Sequence, residues 1–210
     1  MSWTSKLVFN RLYGAARTAE DLPWYEPDPP ALLVTALNAR PGVGRAMDVG
    51  CGAGAHALYM ASRGYAVTGI DMMPRAIELL RASARDSGAD INAVQADIKT
   101  WQAEQPFDVI LDVGCLHSLS ATERQLYRRQ LLRWLAPGGD FILIHLGRRA
   151  WWDVWPIGPN RIDAEQIIAL FAPELRLHAS EAETKRGLPW LVGGSMLTMR
   201  YWFKRGPQTA

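Results

Sequence analysis

Between Arg45 and Leu146, short apolar runs alternate with segments of helical period, and this rhythm leaves few folds open to the chain. "RAMDVG", "YAVTGID", "INAVQAD", "PFDVILDVG" and "DFILIHL" read as strands. "GAHALYMASRG", "MPRAIELLRASARDSG" and "TERQLYRRQLLRWLAPGG" read as helices, the second opened by Pro74 and ended by Gly88, the third closed by Pro137 and Gly138. Strands linked through helices run parallel, with helices on both faces of the sheet. After the short helix "DAEQIIALFA", two long strands, "ELRLHASEAETKR" and "SMLTMRYWFKR", flank "GLPWLVGG" and predict an antiparallel hairpin. An irregularity of alternation falls in "EAETKR". The expected fold is a Rossmann-like doubly wound α/β sheet, mixed because of its C-terminal antiparallel hairpin.

The N-terminus reads differently. Trp3, Leu7, Val8 and Leu12 have helical spacing, and the following "EDLPWYEPDPPALL" carries Pro23, Pro27, Pro29 and Pro30. Those prolines demand an extended loop, after which Pro30 opens the helix "PALLVTALNA". Residues 1–30 are therefore expected to form a lid helix and loop, 31–205 a single domain, and 206–210 a tail. The net charge of +2 gives no footprint for nucleic acid or a membrane surface. No apolar run approaches the roughly 20 residues of a spanning helix. The N-terminal stretch lacks the apolar core of a secretory signal. Cys51 and Cys115 lack metal-ligand spacing and read as reduced thiols of a cytoplasmic protein.

The stretch "AMDVGCGAGA" sits between the first strand and its helix, with Gly50, Gly52 and Gly54 alternating. Ligands in open α/β sheets lie at the carboxyl ends of the strands, where glycine lets them approach the main chain. Acids recur at that edge: Asp48 near the first strand's end, Asp71 at the second's, Asp97 at the third's and Asp112 at the fourth's. Asp71 stands 21 positions after Gly50, the distance from which a carboxylate accepts ribose hydroxyls. "GCGAGA" also satisfies the dinucleotide pattern, so a nicotinamide oxidoreductase competes. Against it, the third-strand acid has no set role in that fingerprint, and 210 residues leave no second substrate domain.

"DVGCGAGAHALYMASRGYAVTGIDMMPRAIELL", "ADI", "FDVILDVGCLHSL" and "LLRWLAPGGDFILIHL" resemble, in order, the motifs of class I S-adenosylmethionine-dependent methyltransferases. "PWYEPDPPALLVTAL" and "FDVILDVGCLHSL" are similar to the small-molecule branch acting on thiopurines, thiols and tellurite. The resemblance implies S-adenosylmethionine as cofactor. It implies that Asp48, Gly50, Cys51, Gly52 and Gly54 line its methionine part, and that Asp71 binds the ribose with Met72 against adenine. It further places Asp97 at the adenine amino group, Ile98 on its ring, and Asp112 and Val113 near the cofactor's amino group.

Methyl transfer is an in-line displacement that positioning can accelerate, and a hydroxyl acceptor also gains from a base. His117, in the loop after the fourth strand, and His145, near the end of the fifth, are the candidate catalytic bases. Trp24, Tyr25, His117, Trp151, Trp152 and Trp155 are the candidate substrate wall. The Arg148–Arg149 pair could attract an anion. "HLGRR" after the fifth strand offers no hard oxygen ligands, so no metal is expected. The expected partner is a small molecule. A catalytically silent cofactor-binding protein of the same fold is the alternative.

Overall fold

The computed structural model describes residues 10–40, 42, 44–149, 153, 160–187 and 194–207. Among them, one sheet contains β1 (Arg45–Val49), β2 (Ala66–Asp71), β3 (Ile91–Gln95), β4 (Phe107–Val113), β5 (Leu135–Gly147), β6 (Leu175–Arg186) and β7 (Ser195–Arg205). The spatial order is β3-β2-β1-β4-β5-β7-β6. The first five strands pair in parallel, and β7 inserts antiparallel between β5 and β6. This is the mixed doubly wound sheet that the alternation predicts.

Helices cover both faces. Residues 10–15 are helical (α1). They are followed by α2 (Ala31–Ala39), α3 (Ala55–Ser62), α4 (Pro74–Ser87), α5 (Ala121–Trp134) and α6 (Ala164–Phe171). The alternation of β1 decides the layers. Met47 and Val49 face a core built with Tyr127, Leu131 and Trp134 of α5 and Phe171 of α6. Ala46 faces the opposite core, with Leu33 of α2, Met60 of α3 and Leu80 of α4.

Helix ends follow local chemistry. Ser120 and Glu123 form a capping box at the start of α5. Gly88 closes α4 in the left-handed region, φ 68°. The third core helix ends earlier than "LAPGG" suggests: α5 stops at Trp134, and Leu135 already pairs with Phe107 of β4. Pro137 disfavours helical backbone at Ala136, so the chain has turned extended before the proline. The hairpin's irregularity also moves. The register of β6 on β7 shifts between Leu177 and Ala179, around His178, and "EAETKR" pairs without interruption.

Trp3, Leu7 and Val8 lie outside the described residues. The N-terminal segment that follows packs across the glycine turn: Tyr13, Ala16 and Leu22 bury against Ala53, Met73, Ala76 and Leu79. The Arg75 guanidinium donates to the carbonyls of Ala16 and Arg17 at 3.2 and 3.3 Å, tying that segment to α4.

Candidate functional site

The strand order reverses between β1 and β4, and a cavity of about 330 Å³ opens at the carboxyl end of the sheet there. One end is lined by Asp71, Met72, Asp97 and Ile98, the middle by Gly50 and Val113. The other end is lined by His117, His145, Leu146 and Thr198. Tyr13 and Trp24 close it from the N-terminal side, their rings edge to face at 5.4 Å. All of these but Tyr13, Leu146 and Thr198 are sequence-predicted residues, and the cavity brings them together. Asp48, Cys51, Gly52, Gly54, Asp112 and Tyr25 stand back from the cavity. Trp151, Trp152 and Trp155 lie outside the described residues.

Asp71 is the best-placed acid. One carboxylate oxygen accepts the Gly52 N–H at 3.1 Å, the other the Met73 N–H at 2.8 Å. Each oxygen keeps a lone pair for a further donor. Burial raises its pKa above the usual carboxylate range, against the pull of those N–H groups. Asp97 is more open; it accepts the Lys99 N–H at 2.9 Å, and the Lys99 ammonium lies 3.4 Å from its second oxygen.

Asp48 and Asp112 lie deeper. Asp112 is completely buried and accepts the N–H groups of Cys115 and Leu116, at 2.8 and 3.2 Å, folding the loop after β4 back onto its strand. Asp48 is buried beside it, with Oδ2 unpartnered. Burial pushes both carboxyls up to about 7, and Asp112 adds to the rise at Asp48.

The glycines also divide. The N–H groups of Gly50 and Cys51 both donate to the Ile70 carbonyl, at 2.8 and 3.1 Å, holding the turn against β2. A Cβ on Gly50 would lie 2.8 Å from Cys115 Cβ, and one on Gly54 would lie 2.2 Å from Leu80 Cδ1. The packing of α3 on α4 is by itself reason for a glycine at position 54.

Two imidazoles bond to the main chain of one residue, Leu146, at the far end. The Leu146 N–H donates to His117 Nδ1 at 3.1 Å, and His145 Nδ1 donates to the Leu146 carbonyl at 2.9 Å. His145 stacks on Tyr201, ring centroids 5.5 Å apart and planes 5° from parallel. Burial depresses both rings, His117 to about 3 with His145 adding to the shift, and His145 to about 4. His117 therefore does not meet the description of a base poised near neutrality. The Asn160 backbone N–H donates to the His117 carbonyl at 2.9 Å, fixing the loop that carries the ring.

Residues 46–139 match a family model described as a methyltransferase domain. That stretch is a methyltransferase domain. The chain is 30% identical over 156 residues to the 2-heptyl-1-hydroxyquinolin-4(1H)-one methyltransferase of Mycobacteroides abscessus, covering 73% of this chain and 65% of that one. It is 32% identical over 103 residues to a ubiquinone biosynthesis O-methyltransferase of Rickettsia conorii, covering 49% and 35%. The chain thus spans less than two thirds of either relative's length. In fold it is similar to the N-methyltransferase NodS of Bradyrhizobium japonicum, solved with S-adenosyl-L-homocysteine. The TM-score is 0.71 at 23% identity, over 95% of this chain and 97% of that one.

Sequence reading missed several cavity residues. Thr198 was within reach of it: an antiparallel β7 begins at the carboxyl edge, where Thr198 pairs with Leu146. Lys99 follows Asp97 by two positions and was legible as its neighbour. Tyr13 had no local signal. It reaches the site because α1, which carries it, packs across the glycine turn, where its hydroxyl stands 3.2 Å from the position of a Cβ on Gly52. Burial, then the charge of Asp71, raises its pKa well above the ordinary tyrosine value.

Proposed function

We propose that the protein transfers the methyl group of S-adenosylmethionine to a small, largely apolar aromatic molecule. The observation that carries this reading is one continuous cavity, with Asp71, Met72, Asp97 and Ile98 at one end and His117, His145 and Thr198 at the other. The donor set fits the cofactor. Asp71 offers one free lone pair on each oxygen, which suits a vicinal diol. Met72 and the buried Ile98 give an apolar slot for adenine, with Asp97 at its rim for the amino group. Gly50 and Val113 border the passage between the two ends. Bound there, the cofactor supplies an electrophilic methyl group.

The chain's own residues bind, orient and exclude water. Tyr13 and Trp24, held by α1 and the segment after it, act as the inner surface of a lid. His117 and Thr198 face the acceptor end and orient the molecule that enters it. An enclosed, mostly apolar cavity suits a small organic acceptor better than a nucleic acid. The hydroxyquinolinone methyltransferase relative agrees with an aromatic acceptor.

Calorimetry with S-adenosylhomocysteine, and a screen with labelled S-adenosylmethionine against phenols, aromatic thiols and hydroxylated or amino heteroaromatics, test the reading. Saturable binding and transfer to at least one aromatic acceptor are expected. No binding of S-adenosylhomocysteine, or binding of a nicotinamide dinucleotide in its stead, refutes it.

A further inference from the structure

The main-chain N–H and C=O of Leu146, from the two peptide groups that flank it, fix the hydrogens of both imidazoles. An N–H can only donate, so His117 Nδ1, which accepts from Leu146, carries no hydrogen, and the neutral ring bears it on Nε2. A carbonyl can only accept, so His145 Nδ1 carries the hydrogen and its Nε2 is a bare lone pair. That lone pair is sealed: His145 is 1% exposed, and Nε2 is buried without a partner. His117 differs. It borders the cavity next to Gly114, and a Cβ on that glycine would lie 3.3 Å from His117 Nε2. The ring nitrogen on the Gly114 side, on a residue that borders the cavity, is thus an N–H donor. Taking up a proton would require Nδ1, which the Leu146 N–H already occupies.

Other groups at this end do not take a proton either. Burial keeps the Cys115 thiol well above its ordinary pKa, and the Ser118 hydroxyl donates to the Cys115 carbonyl at 2.6 Å. The titratable neighbour acting on His117 is His145, and Arg124 of α5 acts on His145 in turn. Asp71 and Asp97 stand at the opposite end of the cavity.

We propose that His117 is a fixed hydrogen-bond donor to an acceptor atom that arrives already ionised, so that the substrates are acidic hydroxyls or thiols on an aromatic or heteroaromatic ring. The inference rests on the methyl-transfer reading and narrows its substrate class. The acceptor loses its proton to water before entry. Its lone pair then forms the bond to the methyl carbon, while the sulfur keeps the electron pair of the bond that breaks. No proton is placed on the chain. A hydrogen bond to an anion weakens as the methyl group neutralises it, so His117 contributes to binding more than to the chemical step.

The test has an arm that needs no turnover. Nitrogen-15 NMR of the cofactor-free protein should find the His117 hydrogen on Nε2 and the His145 hydrogen on Nδ1. With S-adenosylhomocysteine present, absorbance titration should show 4-nitrophenolate bound more tightly than 4-nitrophenol. His117→Ala should weaken the phenolate about 10- to 100-fold, the scale of a hydrogen bond to a charged group, and leave the neutral form unchanged. His117→Gln, whose amide donates but is no base, should keep most of the phenolate affinity. In turnover, His117→Ala should raise KM more than it lowers kcat, and the pH at which the rate rises should follow the pKa of each phenol in a series.

A His117 hydrogen on Nδ1, a Gln variant as impaired as the Ala variant, or equal methylation of aliphatic amines overturns the proposal. Absence of S-adenosylhomocysteine binding defeats the methyl-transfer reading instead. The tautomer measurement on the unsubstituted protein stands even where a variant fails to fold.

Discussion

Gly54→Ala separates two reasons for a glycine at the start of α3. The residue has φ 91°, and an added Cβ would lie 2.2 Å from Leu80 Cδ1 and 3.3 Å from its Cγ. Leu80 is completely buried, so its side chain has no open space to swing into. Left-handed backbone costs an alanine about 1–2 kcal/mol, and overpacking a filled core adds about 1–3 kcal/mol. A loss of about 2–5 kcal/mol is expected, a large share of the roughly 5–15 kcal/mol that holds a domain folded. Urea unfolding should report it as a lower midpoint with an unchanged slope. Calorimetry on the protein that remains folded should find S-adenosylhomocysteine affinity within about twofold of the unsubstituted chain, because Gly54 does not border the cavity. Leu80→Ala in the same chain removes the clash, so the double variant should be less destabilised than the two single losses added, by at least about 1 kcal/mol. Stability unchanged within about 0.5 kcal/mol, together with a tenfold loss of affinity, would show that the glycine serves the ligand and that the packing argument is wrong.

Asp71→Ala strips the acceptor from two buried N–H groups and from the ribose, so S-adenosylhomocysteine affinity should fall roughly 10- to 100-fold; a change under twofold by calorimetry refutes the assignment. Because burial holds this carboxyl high and the ligand needs it ionised, binding should also be lost at a higher pH than for an exposed aspartate. Asp48 and Asp112, raised to about 7, stabilise the fold below their unfolded value of about 3.9 and lose that contribution as pH rises toward 7. His117 and His145, lowered to about 3 and about 4, act with the opposite slope, giving full stability above about 6.5 and losing it on acidification. Asp48→Asn removes one side of this opposition, so its melting temperature should drop more steeply than the unsubstituted protein's as pH falls from 6.5 to 4.5; parallel calorimetric profiles would refute the linkage. Turnover should persist in chelator, since the sequence "HLGRR" after the fifth strand offers no hard oxygen ligands; loss restored by magnesium would reverse that expectation.

Most of the fold was legible because each level of the sequence agrees with the next. Apolar runs bounded by Gly64, Pro74 and Gly88 give strand, helix and strand limits that pairing leaves nearly intact. The two errors are local and have the same origin. Trp134 to Gly139 reads as a continuing helix until the pairing of Leu135 with Phe107 claims that residue for the sheet. The bulge at His178 lies on an edge strand exposed along most of its length, where no burial pattern marks an extra residue. Both depend on the partner strand, and neither can be read from one strand alone.

The site was legible as a place more than as a set of roles. Four acids at four strand ends form one series in sequence, yet only those of the outer strands, Asp71 and Asp97, meet the cavity. Asp112 ends a central strand and is followed by Gly114, whose φ of 85° turns the chain back so that Cys115 and Leu116 donate to it. Asp71 also receives backbone N–H groups, but one on each oxygen, and it remains at the surface of the cavity. The same residue type, one register step apart at two strand ends, thus stands at the cavity or anchors a loop. His117 repeats the lesson. Its place after β4 is written in the sequence, but the N–H that fills its Nδ1 comes from Leu146, a residue of the neighbouring strand that carries no polar side chain at all.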